Sequence, residues 1–332
     1  MRRLQCNGKA IGAVLALVLV ALASGCAPAR PVATVRFGHA LSLKVALDGI
    51  AQERGYFAKE GLEVELIEVP SGNVAVEKLL SGELDVAEAT LYLMVLKAFA
   101  RDDFRIFATE TVSRNDNVIA ARRDLGIETI EDLKGRRVGV LKGGNPGFVL
   151  ELMLLEGGIA VEDVDIFASD MDTLLAMYAE GTLDAFSCFG TWVDKAEAAH
   201  PGRTVVLIDE DVVRIAMPLA AMAEDLEKRP DVYVRLLRAL ARAEAWLKKN
   251  PDEAFDLVTR LYDLDPAVSR PIWYPDVFGV RLDQALIRDM ENMARWQLET
   301  GLAPGDGMPD VLALFDFRPL EKLDPKRVTI IR

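Results

Sequence analysis

A pattern written twice, with its two glycines 99 positions apart, constrains this chain more than any other feature. The first copy runs VELIEV (64–69), a turn at PSGN, the amphipathic run VAVEKLL, and then Gly82 opening GELDVA. The second runs VDIFAS (164–169), a turn around Asp170, the run DTLLAMYAE, and then Gly181 opening GTLDAFSCFG. Each copy reads strand, turn, helix, glycine, strand. Parallel neighbours in one sheet are joined by such a right-handed crossover. Two copies are too few for a stacked solenoid. The pattern therefore predicts two similar α/β lobes, and two lobes make a cleft.

The N-terminus has a different character. Arg2, Arg3 and Lys9 precede the apolar run Ile11–Ala23, and small residues follow up to Cys26. A basic start, a short apolar stretch and small residues describe an export signal. The apolar run is shorter than the roughly 20 residues a membrane span needs. Leu22-Ala23-Ser24-Gly25-Cys26 resembles a bacterial lipobox, in which Cys26 becomes the lipidated first residue. Ordinary secretion, with Cys26 a bystander, is the alternative. Residues 1–25 are thus expected to be a signal peptide, and 26–34 the lipidated cysteine and a tether. Removing 1–25 deletes three basic and no acidic residues and takes the net charge from −13 to −16. An acidic surface repels phosphate backbones, which argues against nucleic acid as a partner. The membrane contact then runs through the lipid. Cys188 is the cysteine left over, so no disulfide is expected within the mature chain. Two histidines and no cysteine cluster argue against a metal site, and no cofactor motif is present.

Along the chain, VRFGHA (35–40) reads as a first strand. The run after it places Leu43, Ala46, Leu47, Ile50 and Ala51 on one helical face. VELIEV, a helix with Val76, Leu79 and Leu80 inward, DVAEA, a helix opened by Thr90, and the strand FRIFATET (104–111) follow. This is a βαβαβ order. NVIAARR (117–123) leads away from the first lobe. In RVGVLKGGNPGF, a strand and a Gly143-Gly144 turn precede Asn145 as N-cap and Pro146 as first helical residue. TVVLID (204–209) reads as a last strand, and RIAMPLAAM (214–222) as the strand returning to the first lobe. The final third reads as mostly helical, including a helix over 282–298. Lobe one is expected to comprise 35–116 and 214–332, and lobe two 117–213.

Ligands of open parallel sheets sit beyond the carboxyl ends of the strands. That rule selects His39 and Ser42 after the first strand, Ser71, Gly72 and Asn73 after the second, and Thr90 after the third. In lobe two it selects Gly143, Gly144 and Asn145, then Thr191 and Trp192. Helices starting at these points direct free N–H groups at the cleft and favour an anion. Arg214, at the start of the returning strand, could clamp an anion bidentately. Each residue also has a plain structural reading. Ser42, Asn73 and Asn145 can cap helices, His39 can be a core histidine, Trp192 can be packing, and Arg214 can form an ion pair. Cys188 reads as a small buried hydrophobe rather than a reactive thiol.

GYFAKEGLEVEL (55–66), LLSGELDVA (79–87), IEDLKGRRVGVLKGGN (130–145), EGTLDAFSCFGTWVDKA (180–196) and RPLEKLDPKRVTI (318–330) resemble the substrate-binding proteins of nitrate/sulfonate/taurine-type ABC importers. The resemblance spans nearly all of 35–330. It implies a two-lobed α/β type II periplasmic-binding fold, each lobe a mostly parallel sheet flanked by helices, with two crossover hinges near 115–118 and 210–214. It also implies a monomer that captures a small anion such as a sulfonate, taurine or nitrate. The partner it implies is an ABC permease with a cytoplasmic ATPase. The same fold serves pyrimidine precursors of thiamine and solute sensors of membrane receptors, and these stay open as alternatives. A pyrimidine-synthase branch of related architecture is enzymatic, but it carries a cysteine-rich cluster where this chain has the single Cys188 in SCFG. No catalytic residues are therefore expected.

Overall fold

The computed structural model describes residues 32–332 except 41, 115–116, 143, 210–213, 271–272, 275–276 and 306, and it leaves out the side chains of 191 and 268. Cys26, Gly143, half of the first expected hinge and most of the second lie outside the described residues. The first half supplies β1 (Ala33–His39), α1 (Ala46–Glu53), β2 (Leu62–Glu68), α2 (Gly72–Leu80), β3 (Val86–Glu88), α3 (Leu91–Ala98) and β4 (Phe104–Ser113). Then come β5 (Asn117–Arg122), β6 (Arg137–Leu141), α4 (Asn145–Glu156), β7 (Asp165–Ser169), α5 (Met171–Ala179), β8 (Ala185–Phe189), α6 (Val193–Ala199) and β9 (Thr204–Leu207). The chain closes with β10 (Ile215–Met222), α7 (Pro230–Lys249), α8 (Pro251–Leu261), β11 (Phe278–Arg281) and α9 (Ala285–Glu299), among shorter helical turns.

Two sheets result. One has six strands in the order β11-β4-β10-β3-β1-β2, and the other has five in the order β7-β6-β8-β5-β9. The chain passes between them after β4 and returns after β9. β1 pairs in parallel with β2 and β3, and β6 with β7 and β8. The strands that cross over insert antiparallel. β10 lies between β3 and β4, and β5 between β8 and β9. Most strands of each sheet therefore share one direction, yet β4 never touches β3, as a simple βαβαβ reading would have it. Pro218 sits inside β10, where it cannot donate to a ladder, and the register slips between Met217 and Pro218. β11 is an addition to the mostly helical final third. Its four residues at a sheet edge are too short to show periodicity.

The repeat has a physical counterpart. In each lobe, the aspartate of the glycine-led motif reaches the arginine on the first parallel strand. Asp85 Oδ2 accepts from the Arg36 backbone N–H at 2.8 Å, and Asp85 Oδ1 from its guanidinium at 3.0 Å. Asp184 repeats this on Arg137, at 2.9 Å from the backbone N–H and 2.6 Å from the guanidinium. Gly82 and Gly181 both lie in the left-handed region, at φ 81° and 76°, and turn the chain out of α2 and α5 into these motifs. Burial alone would raise both aspartates, but hydrogen bonds from Arg36 and Arg137 outweigh it and hold them below the usual carboxylate range.

The apolar faces read from sequence are buried: Leu43, Ala46, Leu47, Ile50 and Ala51 pack into the core around β1, with Val76 and Leu79 from α2. Leu80 is half-buried. Lobe two has its own cluster of Val118, Ala120, Leu174, Tyr178, Leu183, Phe186 and Cys188. There burial pushes the Cys188 thiol up to about 12, so it behaves as a small apolar side chain. Asp184→Asn keeps the shape but loses the charge-assisted bonds, and it should cost about 1–3 kcal/mol of stability. Asp85→Asn should act in the same direction, and urea midpoints of the two variants check both.

Candidate ligand-binding site

The carboxyl ends of β1, β2 and β3 in lobe one, and of β6 and β8 in lobe two, lead into the residues that the strand-end rule selects. Several act first on their own backbone. Ser42 Oγ accepts from the Lys44 N–H at 3.3 Å, and Ser71 Oγ from the Val74 N–H at 3.4 Å, so both are caps. Asn73 Nδ2 donates to Glu77 Oε1 at 2.9 Å within α2. Thr90 precedes α3 with no side-chain cap bond. At Gly72, an added Cβ would lie 3.0 Å from Ala89 Cβ, so the start of α2 packs closely on the loop after β3.

His39 ends β1 but belongs to a buried network. Its Nδ1 lies 2.6 Å from Asp48 Oδ2, an ion-pair contact too oblique to count as a hydrogen bond. Burial works against the imidazolium, but Asp48 outweighs it and His39 is raised above its ordinary value. The Tyr262 hydroxyl lies 2.8 Å from Asp48 Oδ1 and 2.9 Å from the Val45 carbonyl. Two further carboxyl groups share this end of the sheet, Glu88 as the last residue of β3 and Glu110 on β4. Their exposures are 1% and 0%, and none of their four carboxyl oxygens has a hydrogen-bond partner among the described residues. Burial pushes both well above the usual carboxylate range, and the charge of Asp48 pushes the same way. The Thr111 hydroxyl, one residue along from Glu110, donates to the Lys44 carbonyl at 2.7 Å, and burial lowers the Lys44 ammonium to about 7.

In lobe two, the helix expected to be capped by Asn145 begins at Asn145 itself, with Gly144 in the cap position. An added Cβ on Gly144 would lie 2.7 Å from Leu141 Cδ2, so only glycine fits without a shift. Asn145 is buried, and its Nδ2 donates to Asn117 Oδ1 at 3.2 Å. Asn117 opens β5 opposite Phe189, the last residue of β8. The Asn117 Nδ2 and Asn145 Oδ1 atoms are buried without a hydrogen-bond partner among the described residues. Ser187 Oγ donates to the Pro146 carbonyl at 2.8 Å and fastens this turn to β8. Trp192 packs against the lobe-two cluster, with Lys195 Nζ 3.8 Å above its ring. Thr191 lies in the same turn.

Arg214 is engaged elsewhere. Its Nε donates to Asp289 Oδ2 at 3.0 Å, and its Nη2 to Asp283 Oδ1 at 3.1 Å. An anion clamp would have to break those bonds, so the ion-pair reading describes its place in the fold.

The lobes also meet through side chains. Trp296 of α9 donates from Nε1 to Glu151 Oε2 of α4 at 2.6 Å, and its ring stands edge-on to Phe148 at 5.6 Å. On its own side it meets Tyr92 of α3 at 6.0 Å, and Gln297 Nε2 donates to the Tyr92 carbonyl at 3.0 Å. Trp296 thus contacts the first turns of two helices, α3 and α4, that both start at the candidate site.

A family model described as "NMT1/THI5 like" matches residues 45–254, which is more than half of the chain. The chain belongs to this family. A Bacillus subtilis (strain 168) protein, provisionally named an aliphatic sulfonates-binding protein, is 26% identical over 77% of this chain and 80% of its own length. A Haemophilus influenzae protein, provisionally named a thiamine biosynthesis protein, is 25% identical over 77% of this chain and 82% of its own. The crystal structure of the periplasmic aliphatic sulphonate binding protein SsuA from Escherichia coli superposes with a TM-score of 0.75 at 19% identity, covering 85% of this chain and 92% of that one. The two-lobed fold of periplasmic binding proteins is therefore the fold of this chain.

The strand-end rule missed Asp48, Glu88, Glu110, Asn117 and Tyr262. Glu88 and Glu110 stand in strands rather than in the loops after them, and Tyr262 comes from just past the end of α8, far along the chain. A charged residue inside an apolar strand, as in DVAEA and FATET, was the available signal. Among the described residues, no group of three metal-ligating side chains comes together, and no helix is long and apolar enough to cross a membrane.

Glu88 and Glu110 imply a pH dependence. Carboxyls held above their unfolded value, about 4.3 for Glu, contribute stability that is complete below that value and lost as pH rises through the folded one. The melting temperature of the ligand-free protein should therefore fall as pH rises above the ordinary carboxylate range. The double variant Glu88→Gln/Glu110→Gln should flatten that fall. Melts across pH 5 to 9, or about that range, check it, and equal slopes would show that these carboxyls do not carry the effect.

Proposed function

We propose that this protein is the exported solute-binding component of an ABC importer, held at a membrane by lipid on Cys26. Its task is to deliver one small molecule, unaltered, from between its lobes to a permease. The observation that carries this reading is the pair of similar sheets joined by two crossings of the chain, with Trp296 of one lobe meeting Phe148 and Glu151 of the other. Membership of the NMT1/THI5-like family supports it, as does the fold shared with SsuA. No catalytic role is assigned to any residue. The Cys188 thiol is buried and held in its neutral form.

A sulfonate is the first ligand to test, because the Bacillus relative and SsuA are named for sulfonates. The starts of α2, α3 and α4 would offer its oxygens free N–H groups. A heterocyclic precursor of the thiamine type is the second reading, supported by the name of the Haemophilus relative. In either case, ligand closes the lobes only by binding the closed state better than the open one.

Two outcomes are expected. A thermal-shift screen over sulfonates, oxyanions and pyrimidines should yield a stabilising ligand, and small-angle scattering should show compaction when it is added. A hit with no change in radius of gyration would count against closure. Arg214→Ala should lower stability by about 1–3 kcal/mol through its orphaned aspartates while leaving the affinity of a sulfonate hit nearly unchanged. Denaturation and titration calorimetry on the same variant separate the two effects, and a large loss of affinity would restore Arg214 as an anion clamp.

A further inference from the structure

We propose that Glu88 and Glu110 form a recognition pair for a cationic or N–H-donating nitrogen, so that the solute taken up by this protein carries such a group. The inference rests on the binding-protein reading and names the chemistry of the ligand.

The argument begins with hydrogen-bond bookkeeping. A buried carboxyl without a partner is costly, and native structures rarely leave one. Here two such groups lie at the carboxyl end of the lobe-one sheet, fully buried, with four oxygens that no described residue satisfies. The neighbouring acid, Asp48, differs: its Oδ1 has a hydrogen-bond donor, and its Oδ2, though without a hydrogen bond, has an ion-pair contact. It is matched by His39 at 2.6 Å and by the Tyr262 hydroxyl at 2.8 Å. The cluster thus contains one acid with a cation and a hydroxyl at hand and two with no hydrogen-bond partner among the described residues. His39 is occupied with Asp48, and Arg214 with Asp283 and Asp289, so neither supplies the missing donors.

A second observation comes from the other lobe. Just beyond the crossover that follows β4, Asn117 and Asn145 hold one another by a single bond of 3.2 Å. Asn117 Nδ2 and Asn145 Oδ1 remain buried and without a partner among the described residues. Each lobe therefore keeps unsatisfied polar atoms at its strand ends: acceptors in lobe one, and a donor beside an acceptor in lobe two. A nitrogen-bearing solute supplies N–H groups to the first set and polar edge atoms to the second.

The chemistry of loading balances without any further reactant. In the free protein the pair holds protons, since burial and the charge of Asp48 disfavour ionisation. An arriving cation favours the ionised form, so a proton leaves to solvent as the ligand's N–H groups take its place. The other titratable groups around the pair are Asp48 from α1, His39 at the end of β1 and Tyr262 beyond α8, with Lys44 in the turn before α1.

The test uses a shape-matched pair of probes of opposite charge, benzamidine and benzenesulfonate, on the protein lacking its signal segment. Benzamidine should raise the melting temperature in a concentration-dependent way. Calorimetry in buffers of different ionisation enthalpy should show release of about one proton per benzamidine bound. Glu88→Gln and Glu110→Gln mimic the protonated acids and should fold normally, and each should weaken benzamidine about tenfold or more. Benzamidine binding that is absent, or unchanged in both variants, overturns the inference. Stabilisation by benzenesulfonate alone would also overturn it while leaving the binding-protein reading intact. Compaction with neither probe, nor with any solute of the wider screen, would instead strike at that reading.

Discussion

An aspartate that fastens one strand to the next is what each lobe is assembled upon. Asp85 and Asp184 each accept from both the backbone N–H and the guanidinium of an arginine on the first parallel strand of their sheet. A backbone N–H at the end of a sheet needs a partner once it is covered, and the guanidinium adds charge to the bond. In lobe one Arg229 joins at 3.0 Å, so the C-terminal helical block is anchored at the same carboxylate. The bond fixes the register of βαβ units whose opposite, carboxyl ends hold the candidate site.

The crossing strands explain why the lobes form one molecule. β10 and β5 come from the connections between lobes and sit inside the sheets they enter, not at the edges. The lobe-one sheet is not complete until the chain has passed through lobe two and returned as β10. Direction is thus shared by most strands, while contact is not.

Much of this was legible in the sequence, because the repeat carries backbone information. Glycine at the helix exit and aspartate after it do the same work twice, and apolar faces at helical spacing bury as their periodicity requires. The site was less legible. A rule about loops after strands finds caps such as Ser42 and Ser71 as readily as ligand contacts, since both tasks suit a hydroxyl at a helix start. It passes over Glu88 and Glu110, whose role depends on what surrounds them in space. Tyr262 stands 214 residues from the Asp48 it contacts, and no local pattern announces that pair. Arg214 shows the reverse problem: its position suits a clamp, but two aspartates from the chain's final third hold it.

The reach of α9 bears on where the molecule can be cut. Lobe two is one continuous stretch of chain and looks like an excisable unit. Yet Phe148 and Glu151 present a face shaped around Trp296, which arrives from the far end of the sequence. Produced alone, that segment would show water a bare aromatic edge and a carboxylate bereft of its indole. The natural piece to work with is the whole bilobed body, and a tag or truncation near the C-terminal helices would be felt on the opposite half.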